Sequence, residues 1–212
     1  MFQQRRGSIR DGRITDAAAI AILASPVRQE LFDTLEALGG VATIAELAEQ
    51  LGRPADGLYY HVDLLRRAGL LIAAPAARSR AGRSERRYRI AGPRRSVGLG
   101  YRPRDPRNSA AVRAVVGGML RIARRDFDRA LVGDVAVEGP RRELWAARGT
   151  GWVSDAELAA LNRLLVQITQ LLRRPRGGAR HRLISLCYVL APMTARPRRR
   201  GPTKPRARRR SR

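Results

Sequence analysis

The chain has 212 residues, is 44% hydrophobic, and carries a formal net charge of +25, with 42 of its 43 basic residues arginine. That length holds one domain with extensions or two small ones, and no apolar run approaches the ~18 residues of a membrane span. A lone cysteine, Cys187, excludes an intramolecular disulfide framework and a multi-cysteine zinc site, and MFQQRRGSIRDGR lacks the apolar stretch of a secretory signal.

Residues 1–14 read as a disordered arm. From Thr15 a helical pattern starts in TDAAAIAILA, and a second follows in SPVRQELFDTLEALGG. There Ser25 suits the N-cap and Pro26 the first turn. Leu31, Leu35 and Leu38, with Val27 a turn earlier, form an inward stripe. Gly39-Gly40 ends the helix. Thr43 with Glu46 three residues on is the capping-box arrangement. It opens a short helix with Ile44, Leu47, Ala48 and Leu51 inward and Gly52 closing it. The next helix, about Pro54 to Ala68, places Leu58, Val62 and Leu65 on one face and Asp56, Tyr60, Asp63 and Arg67 on the other. LLIAAP and RRYRIAG read as strands around a loop. A helix, a turn, a helix and a β-hairpin with Arg78, Arg80 and Arg83 at its tip make a winged helix-turn-helix plan over residues 15–92.

Residues 93–108 contain repeated Pro, Gly and Arg and read as an exposed linker. Residues 109–192 are expected to form a smaller dimerisation or effector domain. Its first helix runs from Ser109 to Leu131, and the Gly117-Gly118 pair inside it predicts a bend or a close approach to a neighbour. RRELWAARGTGWV is open between strand and hairpin. Ser154 with Glu157 is a second capping box, opening a helix whose Leu158, Leu161, Leu165, Ile168 and Leu172 form a coiled-coil-like dimerisation seam. HRLISLCYVLAP, stopped by Pro192, reads as a strand, and residues 193–212 as a disordered basic tail. The fold class expected is α+β, mostly α.

Charge is spread unevenly. Residues 1–92 hold 14 arginines against 10 acids, residues 93–195 hold 19 against 8, and residues 196–212 hold 9 arginines and Lys204 with no acid. The total implies a polyanionic partner, and the tail would add affinity that is salt-sensitive and blind to sequence.

In a helix-turn-helix the second helix enters the major groove with its N-terminal side chains at base edges. That assigns Ala55, Asp56, Gly57, Tyr59, Tyr60 and His61 to DNA, with Arg67 further along the helix and Arg78, Arg80 and Arg83 on the wing. A tyrosine offers its ring to a thymine methyl and its hydroxyl to a phosphate. Tyr59 packed on the preceding helix, and His61 bonded to a nearby carbonyl, stay open as alternatives. Asp56 is expected to cap its helix, or else to accept from a cytosine amine.

Residues 17–92 resemble the ArsR-like winged helix-turn-helix transcriptional regulators. SPVRQELFDTL, ATIAELAEQLGRPADGLYYHVDLLRRAGLL and the strand RRYRI carry the resemblance, and LYYHV is similar to the subgroup whose recognition helix reads L-Y-Y-H-L. The resemblance implies a homodimer that binds palindromic double-stranded DNA, mostly as a repressor; the composition reads as soluble and intracellular, so a cytoplasmic, nucleoid-associated place is expected. Metal-sensing members carry paired cysteines that this chain lacks, so no metal or cofactor is expected. The C-terminal segment leaves room for a small-molecule effector. No catalytic residues are expected, because no nucleophile–base spacing, HExxH or CxxC occurs. The competing reading is a nonspecific DNA-packaging or RNA-binding protein driven by the arginine tail. A further one is an adaptor whose residues 109–192 bind another protein.

Overall fold

The computed structural model describes residues 8–78, 84–92, 97–173 and 182–193. In chain order it has strands β1 (Ile9–Arg10) and β2 (Arg13–Ile14), then helices α1 (Ala17–Ile22) and α2 (Pro26–Ala37). Strand β3 (Val41–Thr43) leads into α3 (Ile44–Leu51) and α4 (Asp56–Arg67), followed by the hairpin strands β4 (Leu71–Arg78) and β5 (Ser84–Ile90). Strand β6 (Gly98–Leu99), α5 (Pro106–Leu131) and α6 (Asp155–Leu172) complete it. This α+β chain has a helix-turn-helix, α3–α4, in its N-terminal half.

Local chemistry sets the helix boundaries. The Asp16 carboxylate accepts from Ala19 N–H at 3.1 Å and opens α1. Thr43 and Glu46 bond each other's backbone reciprocally at 2.7 and 3.1 Å, the capping box that starts α3. Gly52, at φ 59, ends it in the left-handed conformation that a side chain would strain. Ser25 takes the N-cap position of α2 but makes no side-chain cap bond. Leu31 and Leu35 are buried, whereas Leu38, expected in the same stripe, lies just past the helix end and is exposed. Leu58, Val62 and Leu65 of α4 are buried as their spacing predicts. The sheet runs in the order β3-β5-β4, antiparallel throughout. Its register slips between Ala74 and Ala77, around Pro75, which has no N–H to give to a ladder.

Two segments expected to be unstructured are built into the fold. Residues 8–14, placed in the disordered arm, form the β1–β2 hairpin. Asp11 and Gly12 (φ 49 and 72) supply the two positive φ values that a tight hairpin turn requires. Ile9 and Ile14 enter the core. The Ser8 hydroxyl donates to the Ala68 carbonyl at 2.6 Å and pins this hairpin to the end of α4. From the expected linker, β6 pairs in parallel with β2, with Ile14 opposite Leu99. Gly100 then passes so close to the hairpin that an added Cβ would lie 2.9 Å from Thr15 Cγ2. Buried Asn108 fastens the strap, donating to Gly100 O at 2.9 Å and accepting from Arg102 N–H at 2.7 Å. Asp105 caps α5.

The C-terminal segment therefore does not begin as a separate unit. Ala111, Val115 and Gly118 of α5 are buried, and α5 packs along α1 and α2. A Cβ on Gly118 would meet Gln29 Oε1 at 3.0 Å and Ala24 O at 3.2 Å, so the close approach expected of the glycine pair is real there. The helix is continuous through both glycines. Residues 134–153 carry no helix or strand. Neither do residues 182–193, where a strand was expected. The capping box of Ser154 and Glu157 opens α6, yet no residue of α6 is buried. Leu158, Ile168 and Leu172 of the expected seam are exposed and Leu161 and Leu165 half-buried, because nothing among the described residues covers them. At its C-terminal end Arg173 reaches back to Glu36 of α2 at 2.9 Å.

Candidate nucleic-acid interface

Helix α4 sits with its apolar stripe against the domain and its opposite face outward. Tyr60 is 67% exposed and Tyr59 56%, whereas Tyr88 of β5 is only 7% exposed. The two adjacent tyrosines thus face solvent where a core would spend its aromatics, and Tyr59 is not packed away against α3. Gly57 is also exposed, with nothing within 4 Å of an added Cβ. The domain itself does not require glycine there.

The remaining expected contacts divide. Ala55 is half-buried and packs against the core. Asp56 does not cap α4, whose N-cap position is Ala55 and carries no side-chain bond. Asp56 lies instead in the first turn, where the helix dipole favours a carboxylate. His61 is half-buried, its ring edge-on to Tyr60 at 5.4 Å between centroids. Its Nδ1 is enclosed without a hydrogen-bond partner. Burial, followed by the charges of Arg28 and Arg53, holds the imidazole below its ordinary pKa.

Asp63 occupies the middle of the outward face and gathers the two arginines that follow it. Arg66 lies 2.8 Å from one carboxylate oxygen and Arg67 2.6 Å from the other. The Arg66 hydrogen bond leads in keeping this carboxyl below its usual range. With Asp56 and Asp63 against Arg66 and Arg67, α4 has no net charge in a chain of +25. The unbalanced positive charge lies elsewhere. On β5, Arg86 and Arg89 are exposed and Arg87 half-buried. Arg78 ends β4 opposite Ser84. Arg80 and Arg83, expected at the wing tip, lie outside the described residues, as does the tail.

One cluster was not anticipated from the sequence. Glu30, Asp33 and Glu36 fall three apart along α2. Glu30 holds Arg53, in the turn before α4, at 3.3 Å, and Arg125 of α5 at 2.7 Å. Glu36 holds Arg173. Asp33 lies between them and its carboxyl is pushed up to about 7, first by desolvation and then by Glu36. Its side chain is nonetheless exposed, so water screens part of that rise. The i, i+3, i+6 acids were the available signal. Through them the turn ahead of α4 is tied to the helix that follows the wing.

No helix among the described residues is long and apolar enough to cross a membrane. Residues 23–72 match a family model described as a helix-turn-helix domain. The match runs from the end of α1 through α4 to the first residues of β4, so it includes every outward residue of α4 described above. Comparison with curated proteins gave no match. A helix-turn-helix domain of this kind makes DNA the partner and transcription regulation the role.

Proposed function

We propose that the chain is a sequence-specific transcription regulator of the ArsR-like winged type, a homodimer that binds a palindromic operator and represses from it. The observation that carries this reading is the pair Tyr59–Tyr60, exposed on the outer face of the second helix of the helix-turn-helix. In the major groove these rings meet thymine methyls, and their hydroxyls reach phosphates. An uncharged recognition helix suits base reading. The arginines of β5 and the wing, including Arg78, Arg80 and Arg83, grip the backbone without regard to sequence. The seam of Leu158, Leu161, Leu165, Ile168 and Leu172 joins two copies, so that their α4 helices address two half-sites.

Two variants separate the roles. Tyr60→Ala is expected to lose far more affinity for the preferred duplex than for random duplex. Arg80→Ala is expected to lose on both and to lower the salt slope by about one unit. Equal losses for Tyr60→Ala on the two duplexes would remove the tyrosine from base reading and the proposal with it.

A further inference from the structure

Residues 182–193 have the composition of a strand without being one. Among the described residues their backbone makes no hydrogen bond to other backbone. Leu183, Ile184, Leu186, Tyr188, Val189 and Leu190 are all exposed. A segment apolar on both faces belongs to a strand covered on both. It is tethered rather than loose: Arg182 pairs with Glu143, and the Tyr188 hydroxyl meets the Thr169 hydroxyl on α6.

The same region holds most of the uncovered apolar surface. Of 24 large apolar side chains exposed among the described residues, 20 lie between Leu120 and Met193. Thirteen of the 20 belong to α6 and to residues 183–193, the two segments joined by the Tyr188–Thr169 contact.

We infer that residues 182–192 of two copies pair as antiparallel strands about a two-fold axis, beside the α6 seam, and complete the dimer. The inference rests on the dimeric reading above and adds the strand pairing to it. An antiparallel strand is complementary to its own copy, as a two-fold interface requires. Charge permits the meeting, because residues 183–193 carry none although the chain carries +25. The nearest arginine, Arg182, is already paired with Glu143. A lipid surface would cover the side chains but leave the backbone N–H and C=O groups unpaired, which hydrocarbon does not tolerate. Pro192, with no N–H, ends the ladder.

The pairing has a fixed centre. Cys187, the chain's one cysteine, is the midpoint of 182–192. In-register pairing sets the two Cys187 residues opposite each other with Cα atoms about 4.5–5.5 Å apart. The test uses the full-length chain without DNA at micromolar concentration: ultracentrifugation for mass, and a short bismaleimide that joins Cys187 to Cys187. A dimer is expected, most of it cross-linked. Cys187→Ser should remain dimeric and not cross-link. A Ser185→Pro, Leu186→Pro double variant removes a ladder donor in either register. It should lose the cross-link while the thermal transition of the helix-turn-helix part stays in place. A monomer, or a dimer that does not cross-link through Cys187, overturns the inference. A cross-linked dimer that selects no DNA site instead sinks the regulatory reading and leaves the pairing standing.

Discussion

Gly57 sits in the first turn of α4, exposed, with nothing of its own domain within 4 Å of where a Cβ would be. A glycine inside a helix costs about 0.5–1 kcal/mol relative to alanine, and here no internal contact accounts for it. If α4 lies in a groove, the missing side chain lets DNA come close beside Tyr60. Gly57→Ala is therefore expected to stabilise the free protein by about 0.5–1 kcal/mol, a rise in Tm of roughly 2–5 °C. The same methyl group should crowd the DNA by about 1–3 kcal/mol, which weakens binding roughly 5- to 150-fold. Thermal unfolding without DNA and an anisotropy titration with the preferred duplex read the two effects separately. A variant that melts higher and binds as tightly as the original would show that nothing approaches α4 at Gly57, and would refute the orientation assigned to the helix.

Gly118→Ala should have the opposite effect on stability, because its Cβ meets Gln29 Oε1 at 3.0 Å and Ala24 O at 3.2 Å. A loss of about 1–3 kcal/mol in urea unfolding is expected, and no loss would contradict the packing of α5 on α2. Asp63→Asn releases Arg66 and Arg67 from their shared carboxylate. Affinity for random duplex should rise and its salt dependence steepen by about one unit, and an unchanged slope would show that these arginines never reach phosphate. Asp33 gives a pH signature. Desolvation, then Glu36, raise its carboxyl from the ordinary 3.8 toward about 7, less the part that water screens at this exposed position. The folded state thus binds more protons between those values, and stability falls as pH rises through that window. Asp33→Asn should match the original protein near pH 4 and melt higher at pH 8. A Tm difference that does not change with pH would place Asp33 in ordinary solvent.

The parts of the fold that were legible in the sequence are those written in local chemistry. The Thr43–Glu46 box, the glycine stop at Gly52 and the spacing of Leu58, Val62 and Leu65 concern residues within a turn or two of each other, and α3 and α4 follow from them. The exposure of the tyrosines was legible for the same reason, since Leu58, Val62 and Leu65 take the inward stripe of α4 and leave Tyr60 on the opposite face. What escaped was nonlocal. Pairing of β6 with β2 joins residues some 85 apart, and nothing in the arginine- and glycine-rich stretch before it marks Gly98-Leu99 as a strand. Asn108 reads as a polar residue of a linker, but buried it is the bolt of the strap. Asp11-Gly12 was a visible turn signal in a segment that charge made look unstructured. In the C-terminal segment α6 was readable as a helix, but its seam is left uncovered by the described residues.

Base-specific reading by α4 is open to selection from a random duplex pool with the full-length chain and with a chain ending at Ala195, at ~150 mM salt to suppress nonspecific binding. Both chains should enrich the same palindromic site, with half-sites one or more helical turns apart. Enrichment of no sequence by either chain, with the full-length one still binding any duplex or RNA, would contradict base-specific reading and make the arginine tail the main source of binding.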